Sequence, residues 1–262
     1  MSNRNSKANK DAARERMRAE RERQAKKDKA RRQVIVAGSI VAVLALAGGV
    51  GYAVMQGNDG GWEDAPSAKL VIPKNATGEN GTTVVIGKPA AKKTLDLYED
   101  ARCPICATFE QTAGAQIKKD VDAGKYKLKY VGATFLDNNG GTGSKNALSA
   151  LGAALNVSPE AFLEYKAALY SKENHPEEID DKFGKDSYLL KVAEQVPALK
   201  GDAGFKKAVE DGTYDRWAIE MSKVFDKSGV TGTPTMKMDS TKIDIPQTLD
   251  AFNAAIDKAL KS

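Results

Sequence analysis

The sequence predicts an α/β domain with an inserted helical block, preceded by one transmembrane helix. Three patterns predict it. Positions 34–55 form an apolar run without a single charge. Strand, helix and strand periodicities follow one another between Thr83 and Val131. Strand patterning then returns at Thr235, after a long stretch with helical spacing.

The N-terminal tail, residues 1–33, carries the chain's basicity. Residues 1–32 hold 13 Lys and Arg against 5 Asp and Glu, so the net +5 of the chain divides into +8 on the tail and −3 on the other 230 residues. The tail is rich in helix formers with interleaved signs and almost nothing apolar, so it cannot bury a core. It has no aromatic residues on which bases could stack, and no nucleic-acid partner is expected. The 22 uncharged residues from Val34 to Met55, as a helix rising about 1.5 Å per residue, cross a hydrocarbon layer of roughly 30 Å. Ala45-Leu46-Ala47 resembles a signal-cleavage site, but the apolar run continues through Val50, Tyr52, Val54 and Met55, and the basic leader is long for a signal, so anchoring is expected. Arg31-Arg32 lacks the rest of a twin-arginine signal. Lys and Arg flank the run on one side only, which predicts a single-pass cell-membrane protein, N-terminus cytoplasmic and C-terminal domain extracytoplasmic.

Residues 56–81, rich in Gly with Pro66 and Pro73, show no sustained periodicity and predict a flexible tether. The domain is expected over 82–262. Thr83-Val84-Val85-Ile86 is a short apolar strand, and Thr94 to Tyr98 alternates so that Leu95 and Leu97 share one face. A helix from about Cys103 to Asp122 and an alternating strand over Lys125–Val131 then make a parallel crossover unit. The helical insertion is expected at about 140–229. In it Ala147, Ala150, Leu151, Ala154 and Leu155 follow helical spacing, and Ser158-Pro159 reads as an N-cap and first helical position. Leu189, Val192, Ala193 and Val196 repeat the pattern, as do Trp217, Met221, Val224 and Phe225, with Gly229 as a stop. Strands over 235–238 and 242–245 and an amphipathic helix with Leu249, Phe252, Ile256 and Leu260 close the domain.

The composition excludes collagen-like and disulfide-rich scaffolds, and one His with two Cys is too small a ligand set for haem or several metals, so no cofactor is expected. Cys103-Pro104-Ile105-Cys106 uses every thiol in the chain. As a staple it is poor, because closing a four-residue loop gives roughly 2 kcal/mol against about 4.7 for a hundred-residue loop. A redox role explains the spacing. At the start of a helix the leading Cys faces unpaired N–H groups and the positive end of the helix dipole, Pro104 suits the first helical position, and Cys106 lies one turn in, where it can attack a mixed disulfide formed at Cys103. Zinc would need two further ligands, and only His175 remains, in the polar run SKENHPEEIDD, where a solvent-facing, inert role is expected. Val230-Thr231-Gly232-Thr233-Pro234-Thr235 puts a proline at the opening of a strand, where it removes a ladder donor.

Tyr98-Glu99-Asp100-Ala101-Arg102-Cys103-Pro104-Ile105-Cys106, together with the Val230–Thr235 segment, resembles thioredoxin-fold proteins of the DsbA type, in the bacterial group of membrane-anchored extracytoplasmic thiol-disulfide oxidoreductases. The resemblance spans Thr82 to the C-terminus. It implies a thioredoxin fold, a central mixed sheet flanked by helices, with the helical subdomain inserted. It implies a cis Thr233-Pro234 bond beside the dithiol, with the Thr233 backbone offered to an extended substrate. It also implies that reduced exported proteins are the substrates and a quinone-linked membrane thiol oxidase the reoxidant. Strong oxidants of this family carry His where this chain has Ile105, which provides neither charge nor donor, so a weaker oxidant is expected. Glu99, Asp100 and Arg102 are candidates for tuning the thiols, a carboxylate near Cys106 as its proton acceptor. A membrane-supplied reductase or isomerase, and a module holding Cu(I) on two thiolates, are the alternatives.

Overall fold

The computed structural model describes residues 62–262. The expected basic tail, the span at 34–55 and the first residues of the tether lie outside them. Among the described residues no helix is long and apolar enough to cross a membrane.

Strand β2 (Thr94–Asp100) buries Leu95 and Leu97 on one face, while Asp96 on the other pairs with Lys129 at 3.5 Å. β3 (Lys127–Ala133) runs parallel to β2, and β1 (Val84–Ile86) lies antiparallel on the outer edge of β3. β4 (Thr235–Met238) pairs antiparallel with the other side of β2, and β5 (Thr241–Ile243) with β4. The order β1-β3-β2-β4-β5 makes a mixed sheet with β2 at its centre. The expected third strand starts two residues late because Lys125 and Tyr126 follow the left-handed turn at Gly124 (φ 79°), which ends the preceding helix. The expected last strand also shifts. Asp239 and Ser240 take positive φ in a tight hairpin, so pairing starts at Thr241, and Pro246 lies ahead to stop it.

Between β3 and β4 lie α3 (Gly143–Val157), α4 (Pro159–Leu169), α5 (Asp186–Ala193), α6 (Ala203–Glu210) and α7 (Asp215–Lys227), following α1 (Pro104–Phe109) and α2 (Ala115–Ala123). The stripe Ala147, Ala150, Leu151, Ala154 and Leu155 is buried as its spacing requires. Ser158 caps α4 by accepting from the Ala161 N–H at 3.0 Å, with Pro159 at the first helical position. Gly152 lets α7 lie close, since a Cβ there would stand 2.8 Å from the Trp217 ring. In the last helix, α8 (Leu249–Lys261), Phe252 and Ile256 are buried, Phe252 edge-on to Phe109, whereas Leu249 is exposed.

The tether expectation needs correcting over residues 62–81. Trp62, Leu70, Val71 and Ala76 pack against the main core, Asn75 donates to the Leu155 carbonyl at 2.8 Å, and Trp217 Nε1 donates to the Gly81 carbonyl at 2.7 Å. This stretch lacks periodicity because it has no secondary-structure repeat. Its apolar side chains nonetheless pack against the main core, so residues 62–81 belong with the folded domain.

Candidate active site

Cys103 stands at the N-cap of α1, with extended backbone (φ −74°, ψ 116°), and Pro104 opens the helix. The Cys103 sulfur is nearly buried, and Cys106, one turn in, is fully so; both are free thiols. The S–H of Cys106 donates to Cys103 Sγ, and this contact is the largest of the influences that bring the Cys103 pKa from 9.0 down to about 6, against its own burial. The N–H groups of Cys106 and Ile105 and the buried Thr233 hydroxyl add to the lowering. These are the open N–H groups of a helix start, as the spacing implied. Cys106 moves the opposite way, well above the ordinary thiol value, through burial, its bond to Cys103 and the negative charge of Glu99. Ile105 points outward, 60% exposed. The Thr233-Pro234 bond is cis, and the Thr233 carbonyl accepts from Cys103 Sγ at 3.6 Å. Thus the structure brings Cys103, Pro104, Ile105, Cys106, Thr233 and Pro234 to one end of the sheet.

Beneath Cys106 lies a buried charge cluster. Lys166 of α4 pairs with Glu99 at 3.0 Å and with Glu110, and all three side chains are inaccessible or nearly so. Burial works against the Lys166 charge, but Glu110 and Glu99 outweigh it and raise its pKa, so the ammonium persists. Glu99 is raised to about 7, burial first, with Lys166 opposing. Its second oxygen, Oε1, has no hydrogen-bond partner among the described residues. Glu110 turns inward because the expected single helix over 103–122 is broken by a π-type turn, Glu110–Gly114, between α1 and α2. A Cβ at Gly114 would collide with the Glu110 carboxylate, so glycine makes its room.

The profile of the family described as "Thioredoxin" matches residues 79–258. The chain belongs to the thioredoxin family. Disulfide bond formation protein D of Bacillus subtilis is 25% identical over 178 residues, 68% of this chain and 77% of that one. Among solved structures, the MdbA thiol-disulfide oxidoreductase of Actinomyces oris superposes with a TM-score of 0.60 at 22% identity, over 71% of this chain and 92% of that one. Oxidised BdbD of Bacillus subtilis gives 0.58 at 22%, over 74% and 100%. With the C-x-x-C at the helix start and the helical insertion, this thioredoxin-family protein is a DsbA-like thiol-disulfide oxidoreductase.

In this thioredoxin-family protein the residues just before the dithiol are anchored to the insertion. Asp100 accepts from the Arg102 N–H at 3.0 Å, the Ser144 hydroxyl at 2.6 Å and the Leu136 N–H at 3.2 Å; burial raises its pKa to about 7. The Arg102 guanidinium donates to the carbonyls of Gly140 (2.7 Å) and Glu178 (2.9 Å) and pairs with Asp137 (3.1 Å) and Asp181 (3.4 Å). Both side chains are thus fixed on the loop and the insertion. Of the three tuning candidates, only Glu99 lies in the charge cluster under Cys106.

His175 corrects the sequence expectation. It is half-buried, its ring stacked on Tyr170 and edge-on to Phe183, with Nε2 at 3.0 Å from the Ala101 carbonyl; burial lowers its pKa. The polar run hid this because the aromatic partners lie outside it. The sequence also gave a usable sign of Lys166, which interrupts the stripe Phe162, Leu163, Tyr165, Leu169 of α4, a position where only a paired lysine is tolerated. Among the described residues no cluster of three or more His, Cys, Asp or Glu is placed to hold a metal ion.

Proposed function

We propose that this protein is a membrane-tethered, extracytoplasmic oxidase that forms disulfides in exported proteins. The observation that carries the reading is the opposite displacement of the two thiols, Cys103 to about 6 and Cys106 well above 9. In the disulfide form a substrate thiolate attacks Cys103 Sγ, and the Cys103–Cys106 bond breaks. Cys106 leaves with the electron pair and takes a proton, which Glu99, poised near 7, is placed to supply and later to recover. A second substrate thiolate attacks the substrate sulfur of the mixed disulfide, and Cys103 departs as the better leaving group because its thiolate is stabilised. The substrate has lost two electrons, and the dithiol passes them to a quinone-linked thiol oxidase in the membrane. The Thr233 carbonyl beside the cis-proline offers an edge acceptor to an extended substrate.

A Cys103 pKa near 6 lies between thioredoxin, at about 7, and the strongly oxidising DsbA, at about 3.5. The reduction potential is therefore expected between about −270 and −120 mV. The test is catalysed disulfide formation in a reduced, unfolded protein. Cys103→Ser abolishes turnover, and Cys106→Ser accumulates mixed disulfides whose partners mass spectrometry identifies. Full activity in Cys103→Ser would overturn the assignment. A reporter fused to each terminus of the intact chain in bacterial cells tests the topology, which requires the C-terminal reporter to be active only outside the cytoplasm.

A further inference from the structure

The chain's one histidine sits behind the dithiol loop and has no part in the exchange steps above. Two contacts connect it to the site. Its Nε2–H donates to the Ala101 carbonyl at 3.0 Å. Ala101 begins the central peptide of the turn Asp100–Cys103, which the Cys103 N–H closes onto the Asp100 carbonyl at 3.0 Å. In such a turn the central peptide is the unit that can flip while the ends stay in place. A flip here would also break the bond from the Arg102 N–H to Asp100. On its other side the ring stacks on Tyr170, at 5.8 Å between centroids and 18° between planes. Tyr170 packs with Cys103, Cys106 and Ala107, and its ring takes the Lys166 ammonium at 5.2 Å on its face.

We infer that His175 is a positioning residue for the dithiol reaction, holding the Ala101–Arg102 peptide in one orientation and backing Tyr170 so that Cys103 keeps the N-cap geometry its thiolate requires. The inference rests on the dithiol reading and adds a residue to it. The thiolate depends on N–H donors from Ile105 and Cys106 that reach the sulfur only if the chain enters the helix from a fixed direction. Asp100 and Arg102 fix that entry through their side chains. Ala101 has no polar side chain, and its carbonyl is held by His175. The charge facing the imidazole is Glu177, and Tyr170 is the titratable ring against it; Arg102, beside Ala101, directs its guanidinium to Asp137 and Asp181.

The test uses the untagged full chain and three variants. His175→Phe keeps the stack and removes the donor. Its alkylation midpoint for Cys103 should rise by about half a unit, and its equilibrium constant for oxidising glutathione should fall about threefold, the scale of one net hydrogen bond. His175→Gln, which restores a donor, should recover most of both. An unchanged profile in folded His175→Phe overturns the inference. If His175→Phe does not fold, the lone imidazole of the native chain decides by NMR. The bond to Ala101 requires the Nε2–H tautomer of the neutral ring, so a ring found in the Nδ1–H tautomer overturns the inference. Failure of the underlying reading is separate: there the native chain itself would not exchange with glutathione, nor would Cys103→Ser differ from it.

Discussion

The displacement of the Cys103 pKa makes a thermodynamic prediction that can be tested without any substrate. In the unfolded chain the thiol titrates near 9, and in the folded dithiol near 6. Between these values the unfolded state binds more protons, so the folded dithiol gains stability as pH rises, and the gain vanishes below about pH 6. At about 1.4 kcal/mol per unit, the contribution is close to zero at pH 5, about 1.4 kcal/mol at pH 7 and about 3 kcal/mol at pH 8.5. The disulfide form has no such proton. Glu99 and Asp100, both raised to about 7, weaken folding as pH rises from about 4 to 7, but they do so in both redox forms and cancel in the difference to first order. The measurement is urea unfolding of the oxidised and reduced protein at the three pH values. The stability of the reduced form relative to the oxidised one should climb by about 3 kcal/mol across the series, and so should its stability relative to Cys103→Ser, which has no thiolate at position 103 and forms no disulfide. A difference that stays flat from pH 5 to 8.5 would refute the stabilised thiolate, and with it the leaving-group argument for oxidation.

Other substitutions probe the surroundings. Lys166→Met leaves two buried carboxylates facing one another and should cost about 3–5 kcal/mol at pH 8, less at pH 5 where Glu99 is protonated; denaturant unfolding at both pH values checks it. Gly114→Ala should cost about 1–3 kcal/mol by displacing the Glu110 carboxylate, again by denaturant unfolding. Thr233→Val removes a hydroxyl beside the sulfur and should raise the Cys103 midpoint by about half a unit to one unit, followed by thiolate absorbance against pH. Ile105→His adds a cation and donor at an exposed position next to the thiols, so the Cys103 pKa should fall below about 6 and the potential become more oxidising in a glutathione titration.

Where a residue's environment is made by its chain neighbours, the sequence was sufficient. Leu95 and Leu97 alternate on one strand, Ser158-Pro159 caps its helix locally, and Cys103 meets helix N–H groups from residues two and three positions on. Those are short-range facts, and the structure keeps them. The cis bond before Pro234 came only through the family resemblance, since composition and spacing are silent on isomer. The buried Lys166 was visible as a break in an apolar stripe, but its partners Glu99 and Glu110 lie 67 and 56 positions away. No periodicity links them.

The insertion shows why such residues escape sequence reasoning and why they matter. Each of the three residues ahead of Cys103 is held from between Leu136 and Asp181: Asp100 by Leu136 and Ser144, Ala101 by His175, and Arg102 by Asp137, Gly140, Glu178 and Asp181. The same insertion supplies Lys166 and Tyr170 to the floor beneath Cys106. Hence the C-x-x-C, with Thr233, supplies the groups that lower the Cys103 pKa, whereas a helical block that carries no cysteine holds the loop that aligns them. A mutation in that block should therefore change the redox equilibrium without touching the dithiol, and the polarity of its local sequence is no guide to which residues will do so.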